Sequence, residues 1–256
     1  MASLAFKTLG GHGPDLVLIH GFGSDRLSWA GNVAALLPVA RVHSLDLPGH
    51  GESAPDAGGG GPAELAARVA ETLKAQGIGK AHLLGHSLGG SVAMEMASTA
   101  PDSVLSLTLI APAGLGQGID HEFLARYTEL ETPEEAAALL SRLVTKPMLI
   151  NKFTVQRVLA QLGQPGARDA LRRIASALQA AESGLERTVD RIAASDVPRL
   201  MIWGEQDSIN PLDPLRLTTF GGAALTVPDA GHLPHIEGAR LVNTEIPAFL
   251  TAQSHG

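Results

Sequence analysis

At 256 residues and 45% apolar side chains, the chain is long enough to bury one large core, in the size range where α/β folds commonly form a single domain. A net charge of −7 offers no basic stripe to neutralise phosphates and argues against a nucleic-acid partner. There is no cysteine, which excludes disulfides and thiolate metal sites, and no run approaches the ~18 apolar residues of a membrane helix. The N-terminal MASLAFKTLGGHGPD lacks a charged segment followed by an apolar one, so no signal peptide is expected, and a cytoplasmic location is the working expectation.

In chain order, Leu16–His20 (LVLIH) reads as a buried strand running into His20-Gly21-Phe22-Gly23. Trp29–Leu37 reads as a helix closed by Pro38. A second strand, Ala40–Leu45, runs into Asp46-Leu47-Pro48-Gly49-His50-Gly51-Glu52-Ser53. Gly58–Gly61 is a loop without the Gly-Lys-Ser/Thr of a phosphate cradle. Pro62 suits the first position of a helix over Ala63–Gln76, and Gly77 suits its stop. Next comes Ala81–Leu84 as a strand, then Gly85-His86-Ser87-Leu88-Gly89. Gly90, Ala93, Met94 and Ala97 follow at helical spacing, and Val104–Ile110 reads as another strand. Strands alternating with helices imply a mostly parallel sheet covered on both faces.

After Pro112 the pattern changes. Thr132-Pro133-Glu134-Glu135 is a capping box launching a helix over Ala136–Val144. Phe153–Leu162 and Arg168–Glu182 read as further helices, the latter stopped by Gly184. Leu200–Trp203 and Ala224–Val227 resume the sheet, and Ala239–Leu250 closes the chain as a helix. The expectation is a core of residues 1–113 and 195–256 with a helical cap of residues 114–194, together one structural domain.

Gly85–Gly89 is a G-x-S-x-G between strand and helix, the context in which such a turn presents a serine nucleophile. A serine hydroxyl needs a base to take its proton, and the base needs a third group to hold it. In folds of this class the order is Ser, then Asp or Glu, then His. Asp207 lies 120 residues beyond Ser87 in Trp203-Gly204-Glu205-Gln206-Asp207, and His232, 25 residues further, ends Asp229-Ala230-Gly231-His232. Each follows a strand, where open α/β sheets bind ligands, and Gly231 would let the chain turn so that His232 reaches Ser87. His232 is preferred over His235, which lies beyond Pro234, and Asp207 over Glu205 and Asp213. Asp46 reads as a holder of the Pro48–Gly51 turn, and His86 as a packed or hydrogen-bonded residue. His82 and His86 stand four apart without the Glu of a zinc helix, so no metal or cofactor is expected. Backbone N–H groups of Leu88 and of Phe22 are the expected oxyanion donors.

HGFG at 20–23, DLPGHGES at 46–53, GHSLGG at 85–90, WGEQD at 203–207 and AGH at 230–232 together resemble the α/β-hydrolase family over essentially the whole chain. The resemblance implies the triad Ser87, Asp207, His232 with Phe22 and Leu88 at the oxyanion hole. The serine at the turn argues against dehalogenases and epoxide hydrolases, which use aspartate there. SLTLIAPAGLGQGID at 106–120, with HGFG and GHSLGG, is similar to the hydrolase-like catalytic domain of acetoin dehydrogenase E2 subunits, described as dihydrolipoyllysine acetyltransferases. That family usually carries an N-terminal lipoyl domain, whereas this sequence begins with the hydrolase pattern. The leading expectation is a serine hydrolase of small carboxylic esters or related acyl compounds, working through an acyl-enzyme on Ser87. The alternatives are an acyltransferase of the E2 type and a ligand-binding relative with residual hydrolysis. Expected partners are a small acyl substrate and neither nucleic acid nor membrane. A homodimer, and a lipoyl-bearing protein under the acyltransferase reading, stay open.

Overall fold

The computed structural model describes residues 4–253, apart from the side chains of Glu182 and Ser183. Seven strands are connected by helices in the order β1 (Phe6–Gly10), β2 (Asp15–Ile19), α1 (Val33–Leu36), β3 (Arg41–Leu45), α2 (Pro62–Ala75), β4 (Ala81–His86), α3 (Leu88–Thr99) and β5 (Val104–Ile110). Then come α4 (His121–Thr128), α5 (Pro133–Leu140), α6 (Lys152–Leu162), α7 (Ala167–Ala193), β6 (Arg199–Gly204), α8 (Pro214–Phe220), β7 (Ala223–Val227), α9 (Pro234–Glu237) and α10 (Ala239–Gln253). The spatial order is β1-β3-β2-β4-β5-β6-β7. Only β1 runs antiparallel, against β3. The sheet is an α/β-hydrolase arrangement, mostly parallel with helices on both faces.

Alternation along β2 explains the two-sided core. Val17 and Ile19 join the larger apolar cluster with α2, α3 and α7, while Leu16 and Leu18 join a second cluster with α1 and α10. All four are fully buried, each contributing roughly 2 kcal/mol. From β2 the chain adds β3 on one side and then crosses to add β4 on the other. Consecutive connections therefore diverge above the C-terminal ends of β2 and β4, opening a crevice there. The register pairs Ile19 with Gly85, which brings the residues just after each strand to the same level.

Between β5 and β6 the chain forms α4–α7 and two 3₁₀ turns, without a strand. The expected helix over Arg168–Glu182 instead continues through Gly184 to Ala193. Leu185, Thr188, Val189 and Ile192 form a buried face at helical spacing beyond it, and that burial outweighs the ~1 kcal/mol a helical glycine costs. The expected helix at Trp29–Leu37 is interrupted. A 3₁₀ turn over Arg26–Trp29, capped by Asp25, precedes a single α-turn. The capping box at Thr132 forms, but its helix gives way at Ser141 to a 3₁₀ turn over Ser141–Leu143. The strand β1 and the helices α4, α8 and α9 were not legible from periodicity. No helix among the described residues is long and apolar enough to cross a membrane.

Candidate active site

The β4–α3 turn is tight because β2 lies against it. A Cβ at Gly89 would come 2.2 Å from the Ile19 carbonyl oxygen, so no other residue fits. The turn forces Ser87 into φ 50°, ψ −113°, a conformation that costs a non-glycine residue of order 1–3 kcal/mol. The strain is held by hydrogen bonds on both sides. Ser87 N–H donates to the Ile110 carbonyl at 2.9 Å, and Ser87 C=O accepts from Gly90, Ser91 and Ala113. The hydroxyl is thereby presented at the N-terminus of α3, where the helix dipole favours negative charge.

Asp207 and His232 meet across the loops after β6 and β7. Asp207 Oδ2 accepts from His232 Nδ1 at 2.8 Å, while its Oδ1 accepts the Ile209 and Asn210 N–H groups, both at 2.9 Å. Both residues are buried. Asn210 is anchored in turn, its Nδ2 donating to the carbonyls of Ala111 and Pro112. The turn that carries His232 is made by Asp229 at φ 52°, not by Gly231. Gly231 is needed for close approach instead. A Cβ there would lie 2.8 Å from the Leu143 carbonyl, which accepts the His232 N–H at 2.8 Å. Ser87 and His232 line one cavity. Among the described residues the Ser87 hydroxyl makes no hydrogen bond; such contacts commonly tighten only when substrate is bound. Glu205 is exposed, and Asp213 caps α8 through the Leu215 and Arg216 N–H groups.

Phe22 lines the same cavity, and Leu88 opens α3. Among the described residues neither amide N–H has a protein acceptor. The peptide that carries the Phe22 N–H has the Gly21 carbonyl at its other end, and His20 Nδ1 donates to that oxygen at 2.8 Å. His20 Nε2 accepts the Leu47 N–H at 2.9 Å, so the ring must carry its proton on Nδ1. The next peptide is gripped by His50, whose Nε2 accepts the Gly23 N–H at 3.0 Å and whose Nδ1 donates to Pro48. On the far side Tyr127, from α4, donates its hydroxyl to the Gly23 carbonyl at 2.6 Å. Burial pushes His20 down to about 4 and His50 down to about 3, and raises the Tyr127 phenol, so all three stay neutral.

His86 is buried and hydrogen-bonded, its Nε2 donating to the His232 carbonyl at 2.9 Å. Its ring lies between those of His232 and His235, at 4.9 and 4.8 Å. Asp46 accepts from Arg26 and from the Glu52 N–H, holding the loop that ends in Ser53. His82 Nδ1 pairs with the Ser106 hydroxyl. Among the described residues no three His, Cys, Asp or Glu side chains are grouped to hold a metal ion.

The cavity has a volume of about 140 Å³ and a roof of apolar side chains from α4–α7, among them Phe123, Leu140, Val158 and Leu178. A groove of about 240 Å³ adjoins it, sharing Gly23, Ser24, Ser28, Thr154 and Val158. Asp25 and Arg157, which both line that groove, form an ion pair.

This sheet order, with a serine held on the β4–α3 turn beneath a helical roof, defines an α/β-hydrolase fold. Residues 16–244 match the Alpha/beta hydrolase family, and the chain belongs to it. It is 38% identical over 248 residues to the dihydrolipoyllysine-residue acetyltransferase component of the acetoin cleaving system of Pseudomonas putida, covering 96% of this chain and 66% of that one. The chain thus spans just under two thirds of that relative's length. It is 36% identical over 223 residues to the pimeloyl-[acyl-carrier protein] methyl ester esterase of Aeromonas hydrophila, covering 78% of this chain and 80% of that one. Among solved structures, the meta-cleavage product hydrolase CumD of Pseudomonas fluorescens superposes with a TM-score of 0.86 at 21% identity, covering 97% of this chain and 94% of that one. That likeness speaks to the fold.

Proposed function

We propose that the protein hydrolyses small carboxylic esters or related acyl compounds through an acyl-enzyme on Ser87, as a cytoplasmic carboxylic ester hydrolase. The observation that carries this reading is the Asp207–His232 pair opening onto the cavity that holds the strained Ser87. In the proposed reaction His232 takes the Ser87 proton as Oγ attacks the carbonyl carbon. Asp207 holds the ring by Nδ1 and stabilises the imidazolium. The Phe22 and Leu88 N–H groups receive the oxyanion, each worth about 3 kcal/mol. His232 then protonates the leaving group, and water activated by the same ring releases the acid.

The cavity supports a short, uncharged acyl group. No Lys or Arg lines it among the described residues, and burial holds His86 and His235 in their neutral forms. At ~30 Å³ per water-sized group, about 140 Å³ accommodates an acyl group of roughly four to six carbons.

The test is hydrolysis of p-nitrophenyl acetate through hexanoate by wild type and Ser87→Ala. Turnover should peak near butyrate to hexanoate and fall by ~10³ or more in the variant. Equal turnover by the two proteins would refute the reading. The similarity to the P. putida acetyltransferase component favours a second reading, in which a thiol replaces water at the acyl-enzyme. Added dihydrolipoamide or CoA would then accelerate p-nitrophenol release and appear as an S-acyl product.

A further inference from the structure

The cavity has two unlike ends. It adjoins the groove of about 240 Å³ through Gly23, Ser24 and Ser28, from the segment after β2, and through Thr154 and Val158 of α6. A second groove, of about 450 Å³, adjoins it through Ile119 and Leu178, the residues common to both linings. In the sheet, β4 lies between β2 and β5 and carries Ser87 on the turn that follows it. Ser24 and Ser28 follow β2 and Ile119 follows β5, so the two ends lie on opposite sides of the nucleophile. They also differ in chemistry. Hydroxyl side chains of Ser24, Ser28 and Thr154 border the first, whereas two aliphatic side chains close the second.

An ester holds its alkyl chain and its alcohol on opposite sides of the carbonyl carbon. The apolar chain loses less by lying against aliphatic side chains, and the alcohol oxygen by lying among hydroxyls. The acyl tail therefore points at Ile119 and Leu178. That end is firmly built. On either side of Ile119, Gln117 N–H donates to the Pro211 carbonyl and Asp120 N–H to the Ile209 carbonyl, both at 2.8 Å. These acceptors sit on the loop whose N–H groups hold Asp207, so Ile119 cannot swing aside without disturbing the partner of His232. Leu178 is 2% exposed on α7. Beyond the two side chains the second groove is empty of bulk, with Ala180 and Leu185 of α7 along one side.

We propose that Ile119 and Leu178 form the end wall of the acyl site and set its chain-length limit, turning away straight aliphatic acyl groups longer than about six carbons. The inference rests on the hydrolase reading and names the residues that choose its substrate. Leu178→Ala removes three carbons and frees about 90 Å³, at ~30 Å³ per group. Roughly nine acyl carbons would then fill the enlarged cavity, and a longer chain must run on into the second groove.

The experiment measures kcat/KM for p-nitrophenyl butyrate, octanoate and dodecanoate with wild type, Leu178→Ala, Ile119→Ala and Leu178→Ala/Ala180→Trp. Ile119→Ala opens the same wall from a loop and decides the matter if Leu178→Ala does not fold. All the variants keep the Tyr127 hydrogen bond to Gly23. Ala180 is exposed and lines the second groove but not the cavity. Each newly buried methylene is worth about fourfold, so the two that octanoate adds to hexanoate should raise its kcat/KM about tenfold relative to butyrate in Leu178→Ala. Dodecanoate should rise as well. Ala180→Trp, by filling the groove, should cancel the gain on dodecanoate and leave that on octanoate. A chain-length profile unchanged in both single variants would overturn the proposal, and so would a dodecanoate gain that Ala180→Trp leaves intact. Titration of sodium dodecanoate onto Ser87→Ala, with and without Leu178→Ala, reads the wall without turnover; truncation should tighten binding about tenfold, and equal affinities would count against the wall. Activity that survives Ser87→Ala would sink the hydrolase reading alone, and this titration would still decide the wall.

Discussion

The replacement His235→Leu tests how far the neutral histidines around this site shape its stability. His20, His50 and His235 are fully buried, and burial lowers them from 6.5 to about 4, about 3 and about 3. The folded state therefore resists protonation while the unfolded chain accepts it near pH 6.5. Full stability is present above that value and is lost as the pH falls toward the folded-state values. At pH 5 each ring has cost about 2 kcal/mol, since 1.5 pH units below the unfolded pKa convert at 1.36 kcal/mol per unit. The three together amount to about 6 kcal/mol, a large share of the ~5–15 kcal/mol that holds a typical domain. His86 adds to the loss in the same direction. The lowered carboxylates Asp15 and Asp25 act in a lower window, below their ordinary 3.8. His235 is the cleanest ring to remove, because its Nδ1 has no hydrogen-bond partner and its carbonyl, which accepts from Asn32, is retained. Leucine is close in volume, and any packing cost it brings is the same at both pH values. Urea titrations followed by circular dichroism at pH 7.5 and pH 5 measure the difference. Relative to wild type, the variant should gain about 2 kcal/mol on going from pH 7.5 to pH 5, and wild type itself should be close to unfolding at pH 5. A wild-type stability that is flat between the two, or a variant that tracks wild type at both, would refute the reasoning.

Three further outcomes follow from the hydrogen bonds at the site. Asp207→Asn should keep its fold, because Oδ1 can still accept from Ile209 and Asn210, yet lose ~10³–10⁴ in kcat on p-nitrophenyl butyrate; a loss under tenfold would remove Asp207 from the proposed mechanism. Tyr127→Phe strips the Gly23 carbonyl of its donor and should cost about 1–3 kcal/mol in urea unfolding, with a fall in kcat that exceeds any rise in KM; a pure KM effect would show that Tyr127 only shapes the cavity. Asn210→Ala leaves the Ala111 and Pro112 carbonyls without that partner and should destabilise by roughly 2–4 kcal/mol, seen as a lower thermal midpoint; an unchanged midpoint would show that both carbonyls find other donors.

The parts of this molecule legible in its sequence are those whose constraint is local. Gly89 announces a close backbone approach, and strand-then-glycine at Gly204 and Gly231 marks the places where loops leave the sheet. The residue types needed for acid–base work stand at those places, so Ser87, Asp207 and His232 stand out in the sequence as candidates. What could not be read depends on partners far along the chain. Tyr127 looks like an ordinary apolar-face residue until the fold sets it 104 positions away against Gly23. Gly231 looks like a hinge, yet its lack of a side chain serves the Leu143 carbonyl from the helical insertion. Gly184 looks like a helix stop because the buried face beyond it, Leu185 to Ile192, takes effect only once α7 has something to pack against.

The loop after β2 shows why this distinction matters for function. Its glycines allow many conformations, so HGFG by itself cannot orient an amide. The orientation comes from three neutral side chains of different origin: His20 on the Gly21 carbonyl, His50 on the Gly23 amide and Tyr127 on the Gly23 carbonyl. Two of them stand on the loops that follow β2 and β3 and one on the roof, so the Phe22 N–H is aimed only while α4 sits over those loops. An oxyanion donor is worth several kcal/mol only if it is already aimed when charge develops. The roof that encloses the acyl group is therefore also a structural member of the proposed oxyanion site, and loosening it should lower turnover before it admits larger substrates.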